Sequence, residues 1–385
     1  MKGVAVDRSG MEPVSTDSAG ALDVAFLGYG FMGKAHANAL ARLPMFFPDA
    51  PATNRHTLVG RDEAALADAA ARLGFDHVAT DWREVVADVD VFYNLGPNHL
   101  HVDPTVAALE AGTHVLCEKP LAPTIEGAAR VADAAAASDA VAGTAFNYRF
   151  LPAIQYAKRL LDAGELGDIR QVKGSYRQDW LADADAPWSW RLDADLAGSG
   201  ALGDLGAHTV DLVQYLVDDV VAVSGNLTTF VDERETPAGE TKPVTVDDAY
   251  SAQAELANGA TATLDASRVA AGHENDHAIE IHGTEGSLRF RMERLNELDV
   301  KRPGSRGYET VLVTGDDDPY GDHWWPPGHV LGWEHTFIHE NDAFLRAVAG
   351  DEPFRPSAAD GLDVQRVLAA IEDSDARRAW VDVDR

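Results

Sequence analysis

The stretch LDVAFLGYGFMG, residues 22–33, decides the fold of this chain of 385 residues. Its first six residues form a short, mostly apolar run that leads into glycine, which is typical of a buried parallel strand. Gly28 to Gly33 match the pattern G-x-G-x-x-G, and Phe31 to Leu43 are typical of a helix that ends near Pro44. A strand, this glycine pattern and a helix in that order predict a turn that binds the phosphates of a dinucleotide.

Each glycine of the turn has a separate predicted task. Gly28 makes the tight turn, Gly30 lets the backbone approach a pyrophosphate, and Gly33 allows close packing of helix and strand. The helix N-terminus offers its free N–H groups to the phosphates. The intervening residues are expected to line the same site: Tyr29, Phe31 and Met32.

Strands and helices alternate as far as residue 146. Further strands are predicted at 56–60, 89–95, 114–117 and 141–146, and helices at 62–73, 104–111 and 125–137. This alternation predicts a doubly wound parallel sheet, so we interpret residues 22–147 as an NAD(P)-binding Rossmann domain. Residues 1–21 contain acidic side chains and no long apolar run, so we interpret them as a disordered tail and not as a secretory signal.

The pattern changes in the second half of the chain. After a helix at 152–162, strands are predicted with few helices between them, at 169–177, 220–230, 248–256, 260–269, 278–282 and 287–291. Two helices follow, one beginning near Glu334 and one at 358–371. Residues 148–385 are therefore predicted to form an α+β domain with a large, mostly antiparallel open sheet.

The end of the second strand bears on the choice between NAD and NADP. A carboxylate there binds the ribose 2′-OH, whereas an arginine accepts a 2′-phosphate. The chain has Gly60 where the acidic residue often stands, followed by Arg61 and Asp62. Arg61 suits a phosphate or the face of adenine, and Asp62 still reaches the ribose, so these residues leave the choice open.

Three further segments carry chemistry. Glu118-Lys119-Pro120 follows the strand HVLC, which places Lys119 in the crevice where open α/β sheets bind ligands. Asp204 and His208 are spaced i, i+4 and share one face if their segment is helical. The segment FNYRF, residues 146–150, lies at the predicted domain junction.

These motifs together resemble the glucose–fructose oxidoreductase/inositol dehydrogenase (Gfo/Idh/MocA) family from Leu22 to the last helix. The resemblance rests on GYGFMG with His36, Pro97-Asn98 with His101, EKP, FNYRF and GDLGAH in this order. Within the family, Gln178-Asp179-Trp180, Trp188 to Asp193 and Val59-Gly60-Arg61 resemble the levoglucosan dehydrogenase subgroup. That subgroup oxidises a ring hydroxyl of an anhydrosugar and uses NAD, which favours NAD slightly over NADP.

The resemblance implies an NAD(P)-dependent dehydrogenase that oxidises a secondary ring hydroxyl of a sugar, anhydrosugar or cyclic polyol to a ketone. It also implies that Lys119, Asp204 and His208 are the catalytic residues. The chemistry agrees, because His208 suits a general base and Lys119 can hydrogen-bond the same oxygen and stabilise a developing alkoxide. Asp204 is expected either to orient His208 or to bind a neighbouring hydroxyl.

Other residues are assigned to the cofactor or to the substrate. The cofactor is expected to contact Gly28 to Gly33, Gly60, Arg61, Asp62, Leu95, Pro97, Asn98, His101, Glu118 and Lys119. The substrate is expected to contact Lys119, Tyr148, Arg149, Gln178, Trp180, Trp190, Arg191, Asp204 and His208. Indole faces stack well on sugars but also fill cores, and Asn98 and His101 could instead cap the next helix, so these alternatives stay open.

The composition excludes some partners. The formal net charge is −31, and only seven residues are lysine, so nucleic acid and anionic membrane surfaces are not expected partners. No window offers about 18 uninterrupted apolar residues for a membrane span. The dispersed acidity and scarcity of lysine are typical of proteins from a high-salt cytoplasm, and we expect a halophilic, haloarchaeal source. The single cysteine, Cys117, forms no disulfide within the chain and agrees with a reducing cytoplasm.

One late segment crowds together His323, Trp324, Trp325, His329 and His335. Their spacing matches no familiar metal site, so no metal is expected, and we interpret the segment as a loop beside the cleft or an oligomer contact. The resemblance implies a homodimer or homotetramer that pairs through the exposed face of the second sheet. Two other functions stay open: a non-catalytic ligand sensor on the same fold, and a glycosidase or epimerase that returns the hydride to its substrate.

Overall fold

A computed structural model describes residues 20–384, and the tail expected at residues 1–21 falls almost wholly outside them. The first domain contains six parallel strands in the order β3-β2-β1-β4-β5-β6. These strands are β1 (Leu22–Leu27), β2 (Thr53–Val59), β3 (His77–Ala79), β4 (Val91–Asn94), β5 (His114–Cys117) and β6 (Ala142–Thr144). The predicted Rossmann sheet is confirmed.

The second sheet has nine strands in the order β16-β15-β14-β13-β7-β12-β11-β8-β17. All neighbours are antiparallel except β7 and β12, which are parallel. Its strands are β7 (Ile169–Arg177), β8 (Val220–Thr228), β11 (Ala249–Leu256), β12 (Thr261–Ser267), β13 (Asp276–Gly283), β14 (Ser287–Arg291), β15 (Glu297–Lys301), β16 (Glu309–Leu312) and β17 (Val381–Asp382). A separate hairpin pairs β9 (Glu233–Glu235) with β10 (Thr241–Pro243). The predicted large, mostly antiparallel sheet is confirmed, and the expected pairing of copies through its exposed face stays a prediction.

Helices cover both faces of the first sheet and one face of the second. They are α1 (Phe31–Phe46), α2 (Glu63–Leu73), α3 (Val102–Glu110), α4 (Ile125–Ala137), α5 (Pro152–Asp162), α6 (Ala194–Ala197), α7 (Ala207–Leu216), α8 (His335–Val348) and α9 (Ala358–Arg377). Among the residues that the structure describes, no helix is both long and apolar enough to cross a bilayer.

Helix α1 differs from its predicted end. It passes through Pro44 and ends at Phe46, although proline removes one backbone hydrogen bond. Leu43 and Phe47 on either side of the proline are buried, and the Phe47 N–H still bonds the Leu43 carbonyl at 2.8 Å. Packing of these side chains therefore outweighs the local break signal.

The end of the chain returns to the first domain. Five apolar residues of α8 lie in one core with the strand residues Val24 and Phe26: Phe337, Ile338, Phe344, Leu345 and Ala347. Helix α9 packs on β8 of the second sheet and on α4 and β6 of the first domain. The sequence division at residue 148 therefore separates the two sheets, but α8 belongs to the core of the first domain.

Candidate active site

One cleft of about 1060 Å³ runs between the two domains, at the carboxyl ends of the parallel strands. It begins where the order of the strands reverses, between β1 and β4, which is the place where open α/β sheets bind ligands. Gly28 follows β1 and Leu95 follows β4, and both line the cleft. The Leu95 N–H bonds the Leu27 carbonyl at 2.9 Å, and the Asn94 side chain donates to the Leu100 carbonyl at 2.9 Å. These bonds fix the loop after β4 against the glycine turn.

The glycine turn has the shape that a dinucleotide requires. Gly28 has φ +106°, and a Cβ there would lie 2.6 Å from the Leu95 carbonyl oxygen. A Cβ at Gly33 would lie 2.5 Å from the Gly28 carbonyl oxygen, whereas at Gly30 it would meet nothing within 4 Å. Gly30 therefore leaves free space in the cleft at the N-terminus of α1, which fits a pyrophosphate.

The residues after β2 do not present an acidic side chain at Gly60, where one often binds the ribose. A Cβ at Gly60 would lie 2.2 Å from Cε1 of Tyr29, so the tyrosine ring occupies the space where an acidic side chain often stands. The Asp62 carboxylate accepts the N–H groups of Ala64 and Ala65 at 3.1 Å and caps α2. Arg61 is exposed on the wall of the cleft and its charge helps to lower the pKa of His99, after the larger effect of burial.

The three residues expected to be catalytic lie in this same cleft. The Lys119 ammonium donates to the carbonyl oxygen of Asp204 at 2.7 Å and to its carboxylate at 3.0 Å. Burial alone would raise the pKa of Asp204, but the positive charges of Lys119, Arg268 and Arg191 outweigh it and hold the pKa below its ordinary value. Asp204 is therefore an anion paired with the Lys119 cation.

A π-helical turn, Leu202–Gly206, carries Asp204 directly into α7, which carries His208. Such turns often lie at functional sites. The buried Asp247 carboxylate accepts the N–H groups of Gly200 at 2.7 Å and Leu202 at 2.9 Å and so anchors the start of the turn. The predicted helical placement of Asp204 and His208 is present, with one π turn inserted.

His208 is a buried, neutral imidazole. Burial lowers its pKa well below the ordinary value, and the charges of Lys119 and His277 lower it further. Its ring stacks on Tyr148 with 4.4 Å between centroids. Its Nδ1 atom is buried without a hydrogen-bond partner among residues 20–384. No hydrogen bond joins Asp204 to His208 in the described chain, so Asp204 holds Lys119 and does not orient the imidazole.

Beyond His208, one wall of the cleft is a polar network that the sequence patterns indicated only in part. Tyr148 and Tyr176 hydrogen-bond through their hydroxyls at 2.9 Å, and Tyr176 donates to Asn275 Oδ1 at 2.7 Å. Gln178 donates to the same oxygen at 2.8 Å. Tyr148 and Gln178 were predicted at this site, whereas Tyr176 and Asn275 carried no recognisable motif.

A second group of residues that line the cleft is aromatic and cationic. Trp180, Trp190 and Arg191 line the cleft as predicted, and the Arg191 guanidinium lies 4.5 Å from the centre of the Trp190 ring. Two further residues of this region were missed. Arg268 donates to the carbonyls of Asp247 at 2.8 Å and Arg191 at 3.3 Å, and Trp333 stacks on Phe31 across the cleft at 5.3 Å.

Arg149 was predicted to contact the substrate, but the structure gives its side chain another partner. Its guanidinium binds the buried Asp211 carboxylate through three contacts of 2.6–3.0 Å, and it is absent from the cleft wall. Within the FNYRF motif, Tyr148 lines the cleft, whereas Arg149 connects the domain junction to α7 through Asp211. A buried charge needs such a partner, and the sequence alone does not show which acidic residue supplies it.

Asn98 and His101 line the cleft, but their side chains form hydrogen bonds with backbone carbonyls of the protein. Asn98 donates to the Ala197 carbonyl at 2.8 Å and so joins the two domains. The His101 nitrogens face the carbonyls of Pro120 at 2.7 Å and Gly96 at 3.0 Å. His101 therefore holds the loops that carry Pro97 and Lys119 together.

The histidine- and tryptophan-rich segment packs mainly on α1. His323 stacks on Phe47 at 4.1 Å, and Trp324 lies 4.3 Å from Phe46. The Trp324 indole donates to His339 at 2.8 Å. Of residues 323–335, only Trp333 lines the cleft. The contacts of His323 and Trp324 with Phe47 and Phe46 attach the segment to the first domain.

The fold and the site define an NAD-binding dehydrogenase. Residues 22–146 match the oxidoreductase family with an NAD-binding Rossmann fold, and residues 154–289 match the GFO/IDH/MocA C-terminal domain. Levoglucosan dehydrogenase of Pseudarthrobacter phenanthrenivorans is 41% identical over 383 residues, which cover 94% of this chain and 98% of that protein. The chain therefore belongs to the GFO/IDH/MocA oxidoreductase family.

Solved structures agree with this assignment. The structure of levoglucosan dehydrogenase in complex with NADH and levoglucosan has a TM-score of 0.92 and 42% identity, covering 94% of this chain and 99% of that one. D-xylose 1-dehydrogenase [NADP(+)] of Haloarcula marismortui is 32% identical over 239 residues, which cover 60% of this chain and 63% of that protein. Both cofactors thus occur among relatives. The expected haloarchaeal source is not supported, because the 41% identical relative is bacterial.

Proposed function

We propose that the protein oxidises a secondary ring hydroxyl of a cyclic sugar or anhydrosugar, with NAD+ as the oxidant. One observation carries this proposal: the neutral His208 and the Lys119–Asp204 ion pair line the same cleft, which begins at the dinucleotide turn. Oxidation of CH–OH needs a base for the hydroxyl proton and a cation for the developing alkoxide, and this group supplies both.

Lys119 has a donor left for the substrate. An ammonium group offers three N–H donors, and Asp204 accepts two of them. The third can bind the reacting hydroxyl oxygen, while His208 Nε2 takes up the hydroxyl proton. NAD+, when bound, accepts the hydride at its nicotinamide ring. Because Asp204 keeps Lys119 charged and oriented, it is a positioning residue for the reaction.

The remaining walls favour a neutral polyhydroxylated ring. Trp180 is 42% exposed, so its indole face is available to pack on the C–H side of a sugar. On the polar wall, the Gln178 and Asn275 side chains retain amide groups that can hydrogen-bond ring hydroxyls. An anhydrosugar such as levoglucosan is the substrate we propose, supported by the relatives described above.

NAD is the proposed cofactor in preference to NADP. The Asp62 carboxylate stands on the cleft wall at the adenine end, where it would repel a 2′-phosphate and accept a ribose hydroxyl. The nearby Arg61 is the residue that would bind the 2′-phosphate of NADP.

A substrate screen tests the proposal. Levoglucosan, aldoses and cyclic polyols are each incubated with NAD+ or NADP+, at low and molar salt, and NADH formation is followed at about 340 nm while products are identified by mass spectrometry. We expect accumulation of NADH and a keto-sugar with at least one anhydrosugar. A rearranged or hydrolysed sugar without net NADH would instead favour an epimerase or glycosidase, and binding without any turnover would favour a sensor.

A further inference from the structure

A buried relay of hydrogen-bonded side chains on α1, α8 and β4 reaches Glu118, the residue before Lys119. Glu118 is 4% exposed, and the other members are fully buried: His36 on α1, Asn341 on α8 and Tyr93 on β4. His36 Nε2 lies 3.2 Å from the Glu118 carboxylate, and His36 Nδ1 lies 3.2 Å from the Asn341 amide nitrogen. Tyr93 donates to Asn341 Oδ1 at 2.7 Å.

The relay has a defined direction. The Asn341 amide nitrogen donates to the Phe337 carbonyl at 2.7 Å, which can only accept, so the orientation of the amide is fixed. The same NH2 group therefore donates to His36 Nδ1, and the imidazole proton must be on Nε2. His36 consequently donates a hydrogen bond from Nε2 to the Glu118 carboxylate.

The Glu118 carboxylate accepts a hydrogen bond at each of its oxygens. One of its oxygens accepts from His36, and the other accepts the backbone N–H of Lys119 at 3.2 Å. The neighbouring Glu340 is fully buried with no partner for either oxygen among residues 20–384, and burial together with the charge of Glu118 raises its pKa well above the ordinary value. Glu340 therefore keeps its proton. Burial also lowers the pKa of the nearby His101.

The position of this charge matters for the cofactor. Glu118 lines the cleft directly after β5 and beside Lys119. Hydride transfer requires the nicotinamide ring to lie within contact of a substrate carbon held at Lys119, so the ring must also lie close to Glu118. The ring carries a positive charge in NAD+ and none in NADH.

We propose that the Asn341–His36–Glu118 relay maintains a fixed negative charge beside the nicotinamide and thereby strengthens the binding of NAD+ relative to NADH. The inference rests on the NAD-binding site and needs no assumption about the sugar. At an effective dielectric constant of roughly 20, two unit charges about 12 Å apart change the affinity ratio by about tenfold, and a closer pair changes it by more. His36 and Asn341 are positioning residues in this arrangement.

The test measures binding without substrate. Dissociation constants of NAD+ and NADH are determined by calorimetry for the wild type, Glu118→Gln, His36→Leu and His36→Gln. Glu118→Gln keeps the shape and removes the charge, so the preference for NAD+ should fall about tenfold. His36→Leu should shift the ratio in the same direction, because loss of the imidazole donor favours the neutral form of the buried Glu118 side chain. His36→Gln, whose amide N–H can reach the same oxygen, should restore it. The exposed Glu110→Gln on α3 is the charge-loss control and should leave the ratio unchanged.

The ratio separates the proposal from general damage. Equal weakening of NAD+ and NADH in Glu118→Gln, or an unchanged ratio with both cofactors bound, would overturn the proposal. If His36→Leu does not fold, Glu118→Gln and His36→Gln still decide it. Failure of the sugar screen with an intact shift in the ratio would reject the proposed substrate class alone.

Discussion

Replacement of Lys119 by methionine tests the catalytic group and the electrostatics that hold it. The variant removes the cation and two hydrogen bonds to Asp204 at 2.7 and 3.0 Å, while it keeps most of the side-chain volume. Loss of a charged donor at a developing oxyanion costs about 10²–10³-fold in rate, so we expect turnover to fall by at least ~10²-fold. The affinity for NADH should change little, because Lys119 acts on the substrate oxygen.

The same variant should lose stability in a pH-dependent way. A hydrogen bond to a charged group contributes about 1.5–3 kcal/mol, and the side chains of Lys119 and Asp204 are 15% and 31% exposed, so we expect a net loss of about 2 kcal/mol at neutral pH. In the wild type, the depressed pKa of Asp204 contributes stability above the unfolded pKa that is lost as pH falls through the folded pKa. Lys119→Met removes the largest of the effects that lower this pKa, so Asp204 of the variant takes up a proton at a higher pH than in the wild type, and the loss of stability becomes smaller in acid.

The assay compares melting temperatures of wild type and Lys119→Met between pH 7 and about pH 4, and steady-state turnover at neutral pH. The difference in melting temperature should be largest at neutral pH and should shrink in acid. Lys158→Met is the matched control, because Lys158 pairs with Asp162 on the surface of α5, where an exposed pair contributes no more than about 1 kcal/mol. Near wild-type turnover in Lys119→Met, or a difference in melting temperature that does not depend on pH, would refute the reasoning.

Three other predictions concern the base, the cofactor and salt. His208→Ala should lower turnover by at least ~10²-fold, and its loss should not multiply with that of Lys119→Met, because the two residues act as one unit. Since the pKa of His208 lies well below its ordinary value, the wild-type rate should fall only at acidic pH, and His208→Ala should lack that limb; a retained limb would assign the proton to another group. Arg61→Ala should weaken NADP+ binding at least several-fold more than NAD+ binding in titrations of both cofactors, and equal small losses would mean that Arg61 only stacks on adenine. With a net charge of −31, the melting temperature should rise between about 0.1 M and molar salt, as the Debye length shortens from about 10 Å to about 3 Å; an unchanged value would reject salt adaptation.

Local patterns were sufficient for the architecture and for the turn at the centre of the site. The apolar run before Gly28, the glycine spacing and the alternation of strands and helices each depend on backbone geometry within a few residues. The order of motifs along the chain also brought Lys119, Asp204 and His208 into one hypothesis, and the structure places them in one cleft. The strands β15 and β16, at one end of the second sheet, have only five and four residues and were not predicted.

Partners distant in the sequence could not be inferred in this way. Arg149 follows the predicted junction as expected, yet its contact with Asp211 is formed by the packing of α7. The Tyr29 ring fills the space above Gly60, so the missing acidic residue reflects shape as much as cofactor preference.

The sequence by itself determined the two-domain fold, the dinucleotide turn and the identity of three polar residues suited to the chemistry, because these follow from short-range dihedral preferences and recurring spacings. Only the tertiary structure decided which group each polar atom meets. His36 and Asn341 are 305 positions apart and become partners when α8 packs on α1, and Lys119 meets Asp204 across 85 positions. The hydrogen bonds and charges that set protonation depend on distances of a few ångströms between such segments, and no local pattern specifies those distances.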